Sequence, residues 1–280
     1  MKYNKRMKAT AIIEIVMFVM LFTVNFLPFG WGIITSLKST NEILVFPPKF
    51  LNFNVTLDNY RQIINNGYLR TFINSVFYAL SAIAIDLVLG FLAAYGFQRF
   101  RFKGKKLLFA LVIAGIPLSA GSTVLLIPNY VLFSSIGFTN HWYTLVILYA
   151  AYNLPMATWI MKGGLELIPV EIEEACIIDG GSRLYILGNL LPTLCRPTLA
   201  SAALFVFIGA WNEYITAAVM INKTALRSVQ MSIYDFLGFF GKDWGALTAA
   251  ATLAVIPTLV MFTCLGKMLV SGLTQGSVKG

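Results

Sequence analysis

The chain has 280 residues, of which 58% are hydrophobic and only 12% charged, with a mean hydropathy of +0.76. Soluble domains are about half apolar and a quarter charged, so this composition excludes a soluble domain and describes an integral membrane protein. The formal charge of +9 does not describe nucleic-acid binding, because the lysines and arginines stand at the ends of apolar runs and form no patch interleaved with aromatics.

Apolar runs of roughly 20 residues suit helices crossing a hydrocarbon core about 30 Å thick, and not a barrel of alternating strands. The expected fold is therefore an all-α integral membrane protein of six transmembrane helices, with residues 1–280 forming one transmembrane domain. Lys2, Lys5, Arg6 and Lys8 precede the first span, residues 9–37, which is too long for a signal peptide. Glu14 is read as an interfacial residue reaching water or head groups, against a functional carboxylate. Residues 38–68 turn polar, and Thr56 or Asp58 is expected to cap a short helix there.

The second span covers residues 69–98 and carries Asn74, Ser75 and Asp86. A charge at the depth of Asp86 should face a helix partner or a cavity, so it is a candidate for structural pairing or for the transport path. Residues 99–106 hold Arg99, Arg101, Lys103, Lys105 and Lys106, the densest basic run, which places this turn in the cytoplasm. The third span starts near Leu107, and Gly115, Pro117, Gly121 and Pro128 make it irregular, either as a kinked packing helix or as the lining of a path. The fourth covers residues 142–160, the fifth 193–221 and the sixth 244–270. On this plan 14 of the 21 basic residues are cytoplasmic, including those at both termini.

Between spans four and five, residues 169–197 are polar and acidic. Pro169 suits a helix first turn, and Glu171, Glu173 and Glu174 complement the positive end of that helix. Gly180 and Gly181 should stop it, and Ser182 should cap a second helix carrying Leu184, Tyr185, Ile186 and Leu187. Exposed isoleucines beside small Ala175 and Cys176 form a surface suited to a groove on a partner, which a merely solvated loop does not need. Cys176, Cys195 and Cys264 show no metal or disulfide spacing, and the only histidine is His141. No metal site is expected.

Glu174-Ala175-Cys176, Asp179-Gly180-Gly181 and Leu191-Pro192 resemble the EAA loop of ATP-binding-cassette importer permeases. Phe46-Pro47-Pro48, Asn59-Tyr60, Asn74-Ser75, Trp211-Asn212-Glu213-Tyr214 and the ending from Gly272 extend the resemblance over nearly the whole chain. It is closest to the carbohydrate-uptake class, and within it to the second permease of maltose-type systems. Two departures stand out: Cys176 replaces the family's second alanine, and residues 180–192 look one position shorter. At 3.6 residues per turn that shortening turns the second helix by about 100° unless a bend absorbs it.

The resemblance implies a heterodimer with a second permease, two ATPase subunits, and an extracytoplasmic solute-binding protein that delivers a sugar. It implies a bacterial or archaeal cytoplasmic membrane, with membrane lipid around the spans. Residues 161–192 become the cytoplasmic coupling segment, with Glu171, Glu174, Ala175, Cys176, Asp179, Gly180 and Gly181 at the ATPase. Asp86, Asn212 and Glu213 are candidates for the path or for helix packing. In the outer loop, Tyr234, Phe239 and Phe240 are candidates to touch the binding protein, or else form an interfacial belt. The chain has no Gly-x-x-x-x-Gly-Lys-Ser/Thr motif, since Gly241-Lys242 is followed by Asp243. It is therefore expected to be no enzyme and to bind no cofactor, with ATP and magnesium held by the partner ATPase.

Three alternatives bear on function: a permease for a peptide or amino acid, a gradient-driven secondary transporter, and an intramembrane enzyme. The second calls for repeats and midplane ionisable residues, for which only Glu14, Asp86 and Glu213 are available. The third lacks a partner aspartate for Asp86 and any triad around His141.

Overall fold

The computed structural model describes residues 2–50, 52–119, 123–238 and 243–275, and the regular elements among them are all helical. In chain order these are α1 (Lys2–Ser36), α2 (Thr40–Ile43), α3 (Asp58–Asn65), α4 (Tyr68–Arg99), α5 (Lys105–Ser119), α6 (Thr123–Ser135) and α7 (Trp142–Glu166). Next come α8 (Glu171–Ile178), α9 (Arg183–Tyr185), a π-helical turn (Ile186–Leu190), α10 (Leu191–Leu194), α11 (Arg196–Trp211) and α12 (Ile215–Met220). A 3-10 turn (Thr224–Leu226), α13 (Val229–Asp235) and α14 (Trp244–Gln275) complete the order.

Among the described residues, four helices are long and apolar enough to cross a membrane: Ile13–Ser36 within α1, α4, α7 and Trp244–Gly266 within α14. A fifth span exists if Arg183–Leu194 and Arg196–Trp211, bent by 83°, are taken as one. Of the third expected span the structure describes α5, 15 residues, and α6, 13 residues, each holding a proline that removes a ladder hydrogen bond. The fifth expected span is not continuous either. It breaks after Trp211 and resumes at Ile215.

Packing divides the chain into two compact units, one of Met1–Tyr68 with Ile233–Val255 and one of Leu69–Ser232 with Ile256–Gly280. In the first, buried Asn59 donates to the Ser36 and Lys38 carbonyls, both at 2.8 Å, which ties α3 to the end of α1. A side chain at Gly245 would run into Asn59, so α14 lies flush against it. The Tyr68 hydroxyl donates to the Ala250 carbonyl at 2.6 Å. Lys38 is buried beneath Trp31, its ammonium 4.4 Å from the ring centroid, and donates to the Lys49 carbonyl at 2.5 Å. Glu42 gathers the Asn54 N–H and the Ser39 hydroxyl, each at 3.2 Å, and the Lys49 ammonium at 3.5 Å. Desolvation pushes its carboxyl up, but those hydrogen bonds outweigh it and leave the group below its ordinary value.

The second unit is built on α7 and α11, which approach through glycines. A Cβ on Gly164 would collide with Thr198, and one on Gly209 with Asn153. Small residues let two helices touch backbone to side chain, the usual means of close packing where lipid offers no hydrophobic drive. α4 lies on α7 at Gly90, where an added Cβ would be 3.5 Å from Thr158 and Met161. α5 meets α7 where Gly115 faces Pro155, and α6 meets it through Asn129, whose amide donates to the Tyr152 hydroxyl at 2.8 Å.

Candidate functional site

The segment after α7 folds as its residue order implies. α8 begins with Glu171, Glu173 and Glu174 in its first turn, where carboxylates meet the positive end of the helix. Pro169 lies just before the N-cap Val170, so it stands outside the first turn proper. At the other end the Gly180 N–H donates to the Ile177 carbonyl at 3.0 Å and the Gly181 N–H to the Cys176 carbonyl at 2.8 Å. This pair of bonds is a Schellman motif, and Gly180 takes the left-handed φ of +87° that it demands. The Ser182 hydroxyl accepts from the Tyr185 N–H at 3.2 Å and caps the next helix, as expected.

That second helix is not regular. After α9 the winding loosens into a π turn over Ile186–Leu190 and only then returns to α10. The irregularity falls inside the stretch that looks one residue short.

Glu171, Glu174, Ala175, Asp179 and Gly180 are exposed and Cys176 is half-buried. Beside them Ile178 is 85% exposed and Leu184 81%, with Ile172, Ile177 and Tyr185 also open to solvent. Apolar surface of this kind at a polar turn makes a candidate interaction face.

Glu173, which sequence reasoning treated only as part of the acidic first turn, turns inward. Its carboxylate accepts from Arg99 Nε at 2.6 Å and from the Tyr95 hydroxyl at 3.1 Å, while Arg99 Nη2 donates to the Ile168 carbonyl at 2.9 Å. Arg99 and Glu173 side chains are 9% and 7% exposed. The end of α4 is thus bolted to α8 across 74 positions of sequence. The clue available beforehand was that Arg99 opens the basic run, which served only to orient the chain. The bolt floors a cleft of about 350 Å³ edged by Gln98, Arg101, Lys105, Glu174 and Arg183.

The candidates within the spans resolve differently. Asp86 is fully buried on α4, and among the described residues neither of its carboxyl oxygens has a hydrogen-bond partner. Glu213 meets α7 at Tyr149, whose hydroxyl donates to the Glu213 main-chain carbonyl at 3.5 Å. Its two carboxylate oxygens accept the N–H groups of Thr216, at 2.8 Å, and Ala217, at 3.1 Å, so the side chain caps α12 after the break. Asn212 sits exposed in the break and donates to the Ile208 carbonyl at 3.0 Å. Gln230 covers the carbonyl of Trp211 at 3.1 Å. Broken backbone at membrane depth persists only where such groups are satisfied by protein or water.

Tyr234 is 48% exposed on α13, whereas Phe239 and Phe240 lie outside the described residues. Part of the expected outer loop turns back onto α4. Asn74 donates to the Ala225 and Arg227 carbonyls, both at 3.0 Å, and Tyr78 to the Leu226 carbonyl at 2.9 Å. The Val229 N–H completes the seam on Ser75 Oγ at 2.7 Å.

The chain is thus helical, with a glycine-stopped, acidic helix between its apolar elements. Residues 65–275 match the family described as binding-protein-dependent transport system inner membrane component. The chain belongs to that family. Among curated relatives of this inner membrane component, the sulfoquinovosyl glycerol transport system permease SmoH of Agrobacterium fabrum is 31% identical over 90% of this chain and 88% of its own. The maltodextrin permease MdxG of Bacillus subtilis is 34% identical over 80% and 81%, and the trehalose/maltose permease MalG of Thermococcus litoralis 32% over 90% and 91%. In fold, the chain is similar to a bacterial ABC transporter involved in the import of alginate, with a TM-score of 0.79 at 18% identity over 93% of this chain and 96% of that one.

Proposed function

We propose that this chain is the six-span permease subunit of an ATP-binding-cassette importer for a sugar or oligosaccharide, with residues 1–280 acting as one permease domain. The observation that carries this reading is the turn from α8 to α9: an acidic helix, a Schellman stop at Gly180 and Gly181, a Ser182-capped restart and a solvent-facing set of isoleucines. Such a turn is shaped to be gripped. The sugar class rests on relatives whose names state sulfoquinovosyl glycerol, maltodextrin and trehalose or maltose transport.

In this reading the protein sits in the cytoplasmic membrane with both termini and residues 161–192 inside. α5 with α6 supplies the third span and the bent α10–α12 run the fifth. Two separate ATPase subunits bind ATP and magnesium, and this chain holds no nucleotide and catalyses nothing. Their closure pushes on Glu171, Glu174, Ala175, Cys176, Asp179, Gly180 and Gly181, and the helices alternate between inward and outward access. A second permease covers α1, whose apolar window has no residue buried within this chain. A solute-binding protein docks on the outer side, in reach of Tyr234.

The test is co-purification of the ATPase with a tagged permease, together with uptake of labelled sugar by cells. Glu174→Lys should release the ATPase and abolish uptake while the permease stays in the membrane. Retention of the ATPase at wild-type yield would count against docking at this turn. Uptake of a labelled peptide or amino acid, with none of any sugar, would overturn the substrate class.

A further inference from the structure

α4 differs from the other long helices of this chain. Pro28, Pro117, Pro128, Pro155 and Pro257 interrupt α1, α5, α6, α7 and α14, and α11 has Pro197 in its first turn and ends at a break. α4 runs 32 residues with no proline at all. Sharp kinks arise almost always at prolines or at disrupted hydrogen-bond ladders, so α4 is the stiff member of the set. Both of its ends are fastened to segments that are not its neighbours in sequence. The inner end holds the docking turn through Tyr95 and Arg99 on Glu173, with Arg99 also on the Ile168 carbonyl. The outer end holds residues 225–229 through Asn74, Ser75 and Tyr78. Next along that segment, Gln230 caps the carbonyl at the break between α11 and α12.

We propose that α4 is a rigid rod that links the docking turn to the outer segment 225–230, with Glu173, Arg99, Asn74 and Tyr78 as its positioning residues. From Asn74 to Arg99 the rod measures about 38 Å at 1.5 Å per residue, enough to connect the two faces of a bilayer. The inner joint is charge-assisted and nearly dry, so it holds its geometry when the turn moves. Displacing α8 with that joint intact carries α4, and α4 carries three consecutive carbonyls of the outer segment. Because coupling is reciprocal, whatever engages the outer segment also alters how the docking turn presents itself to the ATPase. The inference rests on the importer reading, which supplies the ATPase that moves the turn.

The test uses the whole complex, purified by a tag on this chain and placed in lipid vesicles. Cys176 is changed to Ala, Cys195 and Cys264 to Ser, and a spin label is attached at exposed position 223 through Lys223→Cys. The reading is the change in label accessibility when ATP is trapped with vanadate. Glu173→Gln and Arg99→Gln are expected to keep the ATPase bound yet reduce that change about fivefold or more. The exchange Arg99→Glu with Glu173→Arg should restore part of it, which a merely packing role would not. Tyr78→Phe, which removes one outer hydrogen bond and leaves the inner joint untouched, should reduce the response with no loss of ATPase, and it serves if the inner variants fail to fold. An undiminished response in Tyr78→Phe and in every inner variant that folds, with ATPase still bound, overturns the rod. Loss of the ATPase from the wild-type complex overturns the importer reading instead.

Discussion

Gly180 offers the sharpest test of how the docking turn is held. Its φ of +87° closes the Schellman motif, and nothing lies within 4 Å of where a Cβ would stand. A substitution there therefore costs backbone conformation and no collision within this chain. The left-handed region costs an L-residue about 1–2 kcal/mol, and less for Asn, which tolerates it. If the turn must be formed in order to dock, that penalty lowers ATPase affinity about 5- to 30-fold for Gly180→Ala. Gly180→Asn should lose less and β-branched Gly180→Val more. The measurement is a titration of ATPase onto permease with each variant in detergent.

Gly181→Ala makes the internal contrast. Its Cβ would strike the Cys176 sulfur and lie 2.7 Å from the Cys176 carbonyl oxygen, so its effect is steric and only partly relieved by Cys176→Ala. Equal damage from Gly180→Asn and Gly180→Val would refute this account, since bulk against the partner would then matter and not the sign of φ.

Replacing Asp86 by Val should leave the melting temperature of the complex unchanged or raised, because no hydrogen bond is lost among the described residues and a desolvated polar group is removed. A drop equivalent to about 3–5 kcal/mol, the penalty for breaking a buried pair, would mean that the carboxyl has a partner after all. Glu213→Ala should cost about 0.5–2 kcal/mol and speed amide exchange at Thr216 and Ala217, while Glu213→Gln keeps most of the protection. Glu42 is held below its ordinary value of 4.5, so its hold on the Asn54 N–H is complete above that pH and fades as pH falls through the lowered value. Amide protection at Asn54 should follow that course, and Glu42→Gln should remove its dependence on pH.

The helical membrane class and the local shape of the turn from α8 to α9 were both legible in the linear chain for local reasons. Apolar run length is a property of consecutive residues, and so are the carboxylates in the first turn of α8, the glycine pair that ends it and the serine that starts α9. Glycine at a left-handed position can be read before any tertiary contact is known. The breaks were less visible. The prolines of the third span marked it as irregular, but nothing in Trp211-Asn212-Glu213-Tyr214 announced that the helix would stop there and that Glu213 would cap its continuation.

What sequence order could not decide was which distant residues meet. Arg99 served only as one of five basic residues orienting a turn, and Glu173 only as one of three acids at a helix start. Their encounter at 2.6 Å depends on how α4, α7 and α8 pack, which no local pattern encodes. The same holds for Asn74 and Tyr78 on the carbonyls of residues 225–227. Periodicity and capping are short-range, so the sequence by itself determined the membrane class and the shape of the docking turn. Joining that turn to the outer segment is a matter of side chains about 150 positions apart, and the tertiary structure alone settled it.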